Sequence, residues 1–166
     1  MINCIVAVER SRGIGYQNSM PWPRLANDMK WFKSVTTNNV VIMGSNTYLS
    51  LGKPLPNRIN VVLSKTKDYS GIGRADHTFS DPATALVFCQ LEYPDKEIFI
   101  IGGGEIYNLY LKDIDRFFIT EIDADYTCDR FFNLGYVQKN FTKVKEHAKF
   151  TDPIPYTIKE YTNETF

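Results

Sequence analysis

Residues 98–111 read IFIIGGGEIYNLYL: an apolar run, three glycines and a segment of helical composition. The run IFII is apolar at successive positions rather than alternating, the pattern of a strand covered on both faces. Glycine supplies the tight turn out of such a strand and lets backbone approach a ligand closely. A helix opening directly afterwards offers its first N–H groups to an anion. A strand that feeds a helix in this way is the unit of an α/β sheet with parallel strands. GGG lacks the full GxGxxG spacing, so two readings stand at this point: a phosphate cradle, or a strand-to-helix turn that needs small residues.

The same alternation extends in both directions. Strand-like runs occur at NCIVAV (3–8), VVIM (40–43), NVVLS (60–64), EIFII (97–101) and RFFITEI (116–122). Helical patterns lie between them at 25–36, 47–51, 82–90 and 105–110. The tail differs: KVKEHAKF (143–150) and YTIKEY (156–161) alternate and are joined by TDPIP, which predicts an antiparallel hairpin closing one edge. The expectation is an α/β fold with a mostly parallel sheet. No repeat, linker or low-complexity stretch divides the chain, so residues 1–166 read as one domain.

Composition narrows the function. Lys plus Arg equals Asp plus Glu at 19 each, so no net field gathers nucleic acid or an anionic membrane, and the expected partner is a small molecule. The 3 cysteines are far apart without a CxxC pair and only 2 histidines accompany them, which argues against a metal site or a disulfide framework. The apolar runs are far shorter than the ~20 residues that span a bilayer, and Glu9 and Arg10 interrupt the N-terminus before a signal core could form. A cytoplasmic protein is expected.

Several stretches carry candidate chemistry. VVIMGSNTYLSL repeats the strand–glycine–helix theme, although Ser45, Asn46 or Thr47 could equally be an N-cap. Ser64 and Lys65 fall where a third strand ends, so they read either as a phosphate contact or as a solvated strand end. Arg58 stands on the proline-stiffened loop PLPNR, and a guanidinium suits a carboxylate. Asp28 is the most telling. In MPWPRLANDMKWFK (20–33) it shares a helical face with Leu25, Phe32 and Val35, while Lys30 points nearly opposite. The helix macrodipole explains an acid near the start of the helix but not one on the apolar face. Burial there is costly unless N–H donors meet the carboxylate, and a ligand would provide them.

Taken together, MPW (20–22), an acid followed by WFK (31–33), VIMG (41–44), PLPNR (54–58), VLS (62–64), IGGGEIY (101–107) and TEIDAD (120–125) resemble the dihydrofolate reductase family in order and spacing. The resemblance runs from Met1 to about Tyr161. It implies a central, mostly parallel eight-stranded sheet with an antiparallel C-terminal hairpin and flanking helices. The implied activity is NADPH-dependent reduction of 7,8-dihydrofolate to tetrahydrofolate in one-carbon and thymidylate metabolism, by a monomer that antifolates inhibit.

By position, the resemblance makes Asp28 the carboxylate that holds the pterin's amino group and ring N–H, with Thr120 behind it. Ile5, Phe32, Leu51, Leu55 and Ile101 would wall the substrate, with Lys53 beside it, and Arg58 would grip its α-carboxylate. Ala7, Ile14, Gly15, Asn18, Ser19 and Met20 would line the nicotinamide; Met20, Trp22 and Tyr107 would join Asp28 in the catalytic set. The turn Gly102, Gly103, Gly104 with Glu105, Ile106 and Tyr107 would cradle the pyrophosphate. Gly44, Ser45, Asn46 and Thr47 would share the phosphates, and Leu63, Ser64 and Lys65 would meet the adenosine end and its 2′-phosphate.

Three departures from the family pattern stand out. Ser45 takes the place of a frequent basic residue, which puts more of the 2′-phosphate grip on Lys65. WPRLAND is one residue longer before the acid than in many bacterial members. Phe132-Asn133 stands where an aromatic-proline pair is common. Two rival readings are the reductase of riboflavin synthesis, which has no need of the MPW loop, Asp28 and Arg58 together, and a non-catalytic nucleotide-binding module, which has no use for Asp28.

Overall fold

A computed structural model describes residues 1–163. Its strands are β1 (Ile2–Val8), β2 (Gly13–Gly15), β3 (Val40–Gly44), β4 (Ile59–Leu63), β5 (His77–Phe79), β6 (Ile98–Ile100), β7 (Arg116–Ile122), β8 (Arg130–Phe131), β9 (Lys143–Phe150) and β10 (Tyr156–Thr162). The helices are α1 (Ala26–Thr36), α2 (Ser45–Leu51), α3 (Pro82–Glu92), α4 (Gly104–Tyr110) and α5 (Leu134–Asn140).

Eight strands form one sheet in the order β5-β4-β3-β6-β1-β7-β10-β9. β5 to β7 run parallel, and β10 is antiparallel to both β7 and β9, which is the expected hairpin edge. Side chains alternate between the faces, and each face has its own core. Cys4, Val6 and Val8 of β1 pack with Ile106 and Tyr110 of α4 and Val137 of α5, and Ala85 and Cys89 of α3 belong to the same cluster. Ile5 faces the other way, into a cluster with Met43, Phe99 and Phe118 that α1 covers through Trp31, Phe32 and Val35.

Some boundaries differ from those expected. α2 begins at Ser45 with Gly44 as its N-cap and no side-chain cap bond, so none of Ser45, Asn46 and Thr47 caps it. α1 and α4 open at Ala26 and Gly104; Ser64 falls just outside β4, and Glu97 and Ile101 flank β6. β2, β5, β8 and α5 were not signalled by periodicity. α5 is one short helix containing Gly135, held by burial of Leu134 and Val137 and capped where the Asn133 side chain accepts from the Tyr136 N–H.

Candidate active site

α1 carries Asp28 in its first turn, on the face that buries Leu25 and half-buries Phe32 and Val35. The Thr120 hydroxyl, from β7, donates to Asp28 Oδ1 at 2.5 Å. Burial pushes the carboxyl above its ordinary value, and the Thr120 bond pulls back. Ile5 lies in the apolar cluster beside it, with Phe32, Leu55 and Ile101 packed against that cluster. The Tyr107 hydroxyl donates to the Ile5 carbonyl at 2.8 Å, and complete burial drives that phenol far above its usual range.

Arg58 sits at the other end of the same helix. Its Nη1 donates to Thr36 Oγ1 at 3.1 Å and its Nε to the Pro56 carbonyl at 2.9 Å. Asp28 and Thr36 are eight residues apart, so the carboxylate and the guanidinium's anchor are separated by about 12 Å of helix. Leu51, the last residue of α2, and Lys53, just past its end, are exposed and lie outside the apolar cluster.

The glycine turn lies where the C-terminal ends of β3 and β6 meet: the Gly44 N–H donates to the Gly102 carbonyl at 2.9 Å. Gly102 has φ +117°, and a Cβ there would stand 3.1 Å from the Tyr107 hydroxyl. A Cβ on Gly44 would meet Ile106 at 3.0 Å, one on Gly103 would meet Thr47 Oγ1 at 3.8 Å, and one on Gly104 would meet Ile14 at 3.5 Å and Arg130 at 3.7 Å. Strand ends, Thr47, α4 and the loop bearing Ile14 thus converge on backbone without side chains. Glu105 is exposed and Ile106 buried on the first turn of α4, while Asn46 is exposed on α2.

Next to Leu63, a groove of about 360 Å³ is lined by Ser64, Lys65, Thr66, Lys67, Thr78 and Ser80, among others. Ser64 Oγ accepts the Thr66 and Lys67 N–H groups at 3.4 and 3.2 Å, which fixes the loop that presents both lysines. Small backbone at the turn, a hydroxyl above it and ammonium groups one strand away fit a phosphorylated dinucleotide. Gly102 to Gly104 with Thr47 would hold its pyrophosphate, and Ser64 with Lys65 an additional phosphate.

The loop from Gly13 to Trp22 is tied down at its root. Glu9, only 2% exposed, accepts the Gly13 N–H at 2.7 Å and the Tyr126 N–H at 3.3 Å. β2 pairs with β8; the Asp129 N–H donates to the Gly15 carbonyl at 2.9 Å, and its carboxylate accepts the Gln17 N–H at 3.0 Å. Past these ties, Asn18, Ser19 and Met20 are exposed, Met20 by 64%. Trp22 is buried edge-on against Tyr126 at 6.1 Å, and Ala7 is half-buried near the end of β1. Glu9, Asp129 and Arg130 escaped sequence reasoning. The acid closing NCIVAVE was the one available signal, since the other two matter only through the β2–β8 pairing.

Among the described residues, no three or more His, Cys, Asp or Glu side chains gather as a metal site requires, and no helix is long and apolar enough to cross a membrane. The family model for dihydrofolate reductase matches residues 1–163. The chain is 37% identical over 129 residues to the dihydrofolate reductase of Haemophilus influenzae, covering 77% of this chain and 76% of that one. It is 36% identical over 132 residues to that of Bacillus subtilis, covering 80% and 75%. A protein of Mycoplasmoides gallisepticum named segregation and condensation protein A is 34% identical over 152 residues; the match takes 90% of this chain but spans a quarter (25%) of that protein. The chain therefore belongs to the dihydrofolate reductase family, oxidoreductases that reduce dihydrofolate to tetrahydrofolate with a nicotinamide cofactor.

Proposed function

We propose that this chain is a monomeric, cytoplasmic, NADPH-dependent reductase of 7,8-dihydrofolate, with Asp28 as the residue that binds and orients the pterin. The observation that carries this reading is a carboxylate on the apolar face of α1 that, among the described residues, is met by a single hydroxyl and by no basic side chain. A pterin offers an amino group and a ring N–H on one edge, the donors this carboxylate lacks. Its tail ends in carboxylates, and Arg58, bonded to Thr36 about two helical turns along α1 from Asp28, suits the nearer one.

NADPH, when bound, supplies the hydride for the pterin's C=N carbon. Gly102 to Gly104, Thr47, Ser64 and Lys65 would hold its phosphates. Ile5, Phe32 and Leu55 exclude most water from the pterin ring. Asp28 faces the amino edge rather than the ring nitrogen that gains the proton, and Tyr107 already donates its hydroxyl to Ile5, so water is the immediate proton donor in this reading. The loop bearing Met20 gates that water.

Loss of NADPH absorbance on adding dihydrofolate, with none on adding the pyrimidine of the riboflavin pathway, is the expected result. The reverse pattern would overturn the reading.

A further inference from the structure

One buried polar group near the site is not used by that mechanism. Tyr156, the first residue of β10, is 1% exposed, and among the described residues its hydroxyl makes no hydrogen bond of full geometry. The ring packs with Trp22, Leu25 and Ile122. Around the oxygen stand the backbone N–H groups of Asn27 and Asp28 and the Asn27 side chain, with the Asp28 carboxylate also within electrostatic reach.

α1 needs such a group. Its N-cap is Leu25, which has no oxygen to offer, and no side chain caps the helix. The N–H groups of its first turn have no partner within the helix, and a cap normally holds them. Register makes the placement firm: on β10, Tyr156 lies opposite Ile122 and Ile158 opposite Thr120. All four therefore point from the same face of the sheet toward α1. A residue needed only for packing would require the ring alone, and phenylalanine would provide it without an orphaned hydroxyl.

We propose that Tyr156 is a positioning residue for Asp28: its hydroxyl is aimed at the uncapped first turn of α1, and by holding that turn it keeps the carboxylate set between Thr120 and the substrate. Asp28 is thus steadied from two neighbouring strands, by Thr120 on its side chain and by Tyr156 on its backbone. The inference rests on Asp28 being the pterin-binding acid.

Three variants of the cofactor-free chain test it: Tyr156→Phe, Tyr161→Phe, which removes another buried phenol from the same strand, and Asp28→Asn. Amide hydrogen exchange at Asn27 and Asp28 and affinity for a 2,4-diaminopteridine are the readouts, with far-UV circular dichroism confirming the fold. Tyr156→Phe should speed exchange at both amides at least threefold and weaken the diaminopteridine three- to tenfold, while Tyr161→Phe changes neither. Unchanged exchange or unchanged affinity in Tyr156→Phe overturns the proposal, as does an equal change in Tyr161→Phe. If Asp28→Asn also leaves affinity intact, the assignment of Asp28 falls with it; if Asp28→Asn abolishes binding and Tyr156→Phe does nothing, the role of Tyr156 falls alone.

Discussion

Around Asp28 the protein buries a charged side chain; around Gly102 it leaves side chains out. The first region has an acid on an apolar helix face, met among the described residues by the Thr120 hydroxyl and held above its ordinary pKa by burial. The second has glycines at the junction of two strands, where a Cβ on Gly102 would crowd Tyr107 and one on Gly44 would crowd Ile106. In the proposed function, one site would specify its ligand by a group that demands a partner, the other by space that backbone alone can line. Mutation should therefore affect them differently: adding neutrality to the first spares the fold, whereas adding bulk to the second harms it.

The largest effect should come from Asp28→Asn. kcat/KM for dihydrofolate should fall about 100-fold or more at neutral pH, the range of a lost acid–base or charge-assisted interaction. Because burial raises the carboxyl's pKa in the folded state, the charged acid costs stability above that pKa. Below its ordinary value of 3.8 the acid is neutral in folded and unfolded chains alike, and the cost is gone. Thermal unfolding should show Asp28→Asn more stable than the parent at pH 7 and equal to it below pH 3.8. Loss of stability at neutral pH would erase the contrast between the two regions.

Gly102→Ala should act through the fold. At φ +117° with Tyr107 3.1 Å away, the added methyl strains the backbone, a cost of about 1–3 kcal/mol. Denaturant unfolding should register that loss, and titration of NADPH fluorescence should show binding weakened at least tenfold. Lys65→Ala should leave stability alone and raise the KM for NADPH roughly tenfold, with little change for NADH, as one charge-assisted contact of about 1.5–3 kcal/mol predicts. Equal effects on both cofactors would remove Lys65 from the 2′-phosphate. Smallest of all, Asp129→Ala frees the Gln17 N–H and loosens the loop while β2–β8 pairing persists. Single-turnover hydride transfer should slow three- to fivefold, with dihydrofolate affinity unchanged.

The same contrast governs what could be read before folding. Asp28 was legible because a charge in a 3.6-residue apolar period contradicts local expectation and has few explanations. The parallel strands were legible for a related reason: runs such as VVIM and IFII are apolar without alternation. The glycine turn alone was ambiguous, and only the Gly44–Gly102 bond and the neighbours of each missing Cβ show what the small residues accommodate. β2 and β8, three and two residues long, have no period to detect; their pairing stands beside the bonds by which Glu9 and Asp129 hold the loop backbone. Tyr156 was invisible in the same way, since its significance lies in where register brings its hydroxyl.

The strand order bears on how the protein is made. Of the strands described β1 is made before the others, yet its two neighbours in the sheet are β6 and β7, which begin at Ile98 and Arg116. Until those segments are synthesised, INCIVAV has both edges unpaired and its apolar side chains uncovered, the state in which nascent chains are most prone to aggregate or to need a chaperone. Asp28 waits longer still, because its contacts come from β7 and the strand that buries its helix start is β10. Synthesis thus runs through an interval in which the helix bearing the acid has been made but the sheet that gives the acid its environment has not, and a chain halted before Arg116 would carry Asp28 without the Thr120 hydroxyl that meets it.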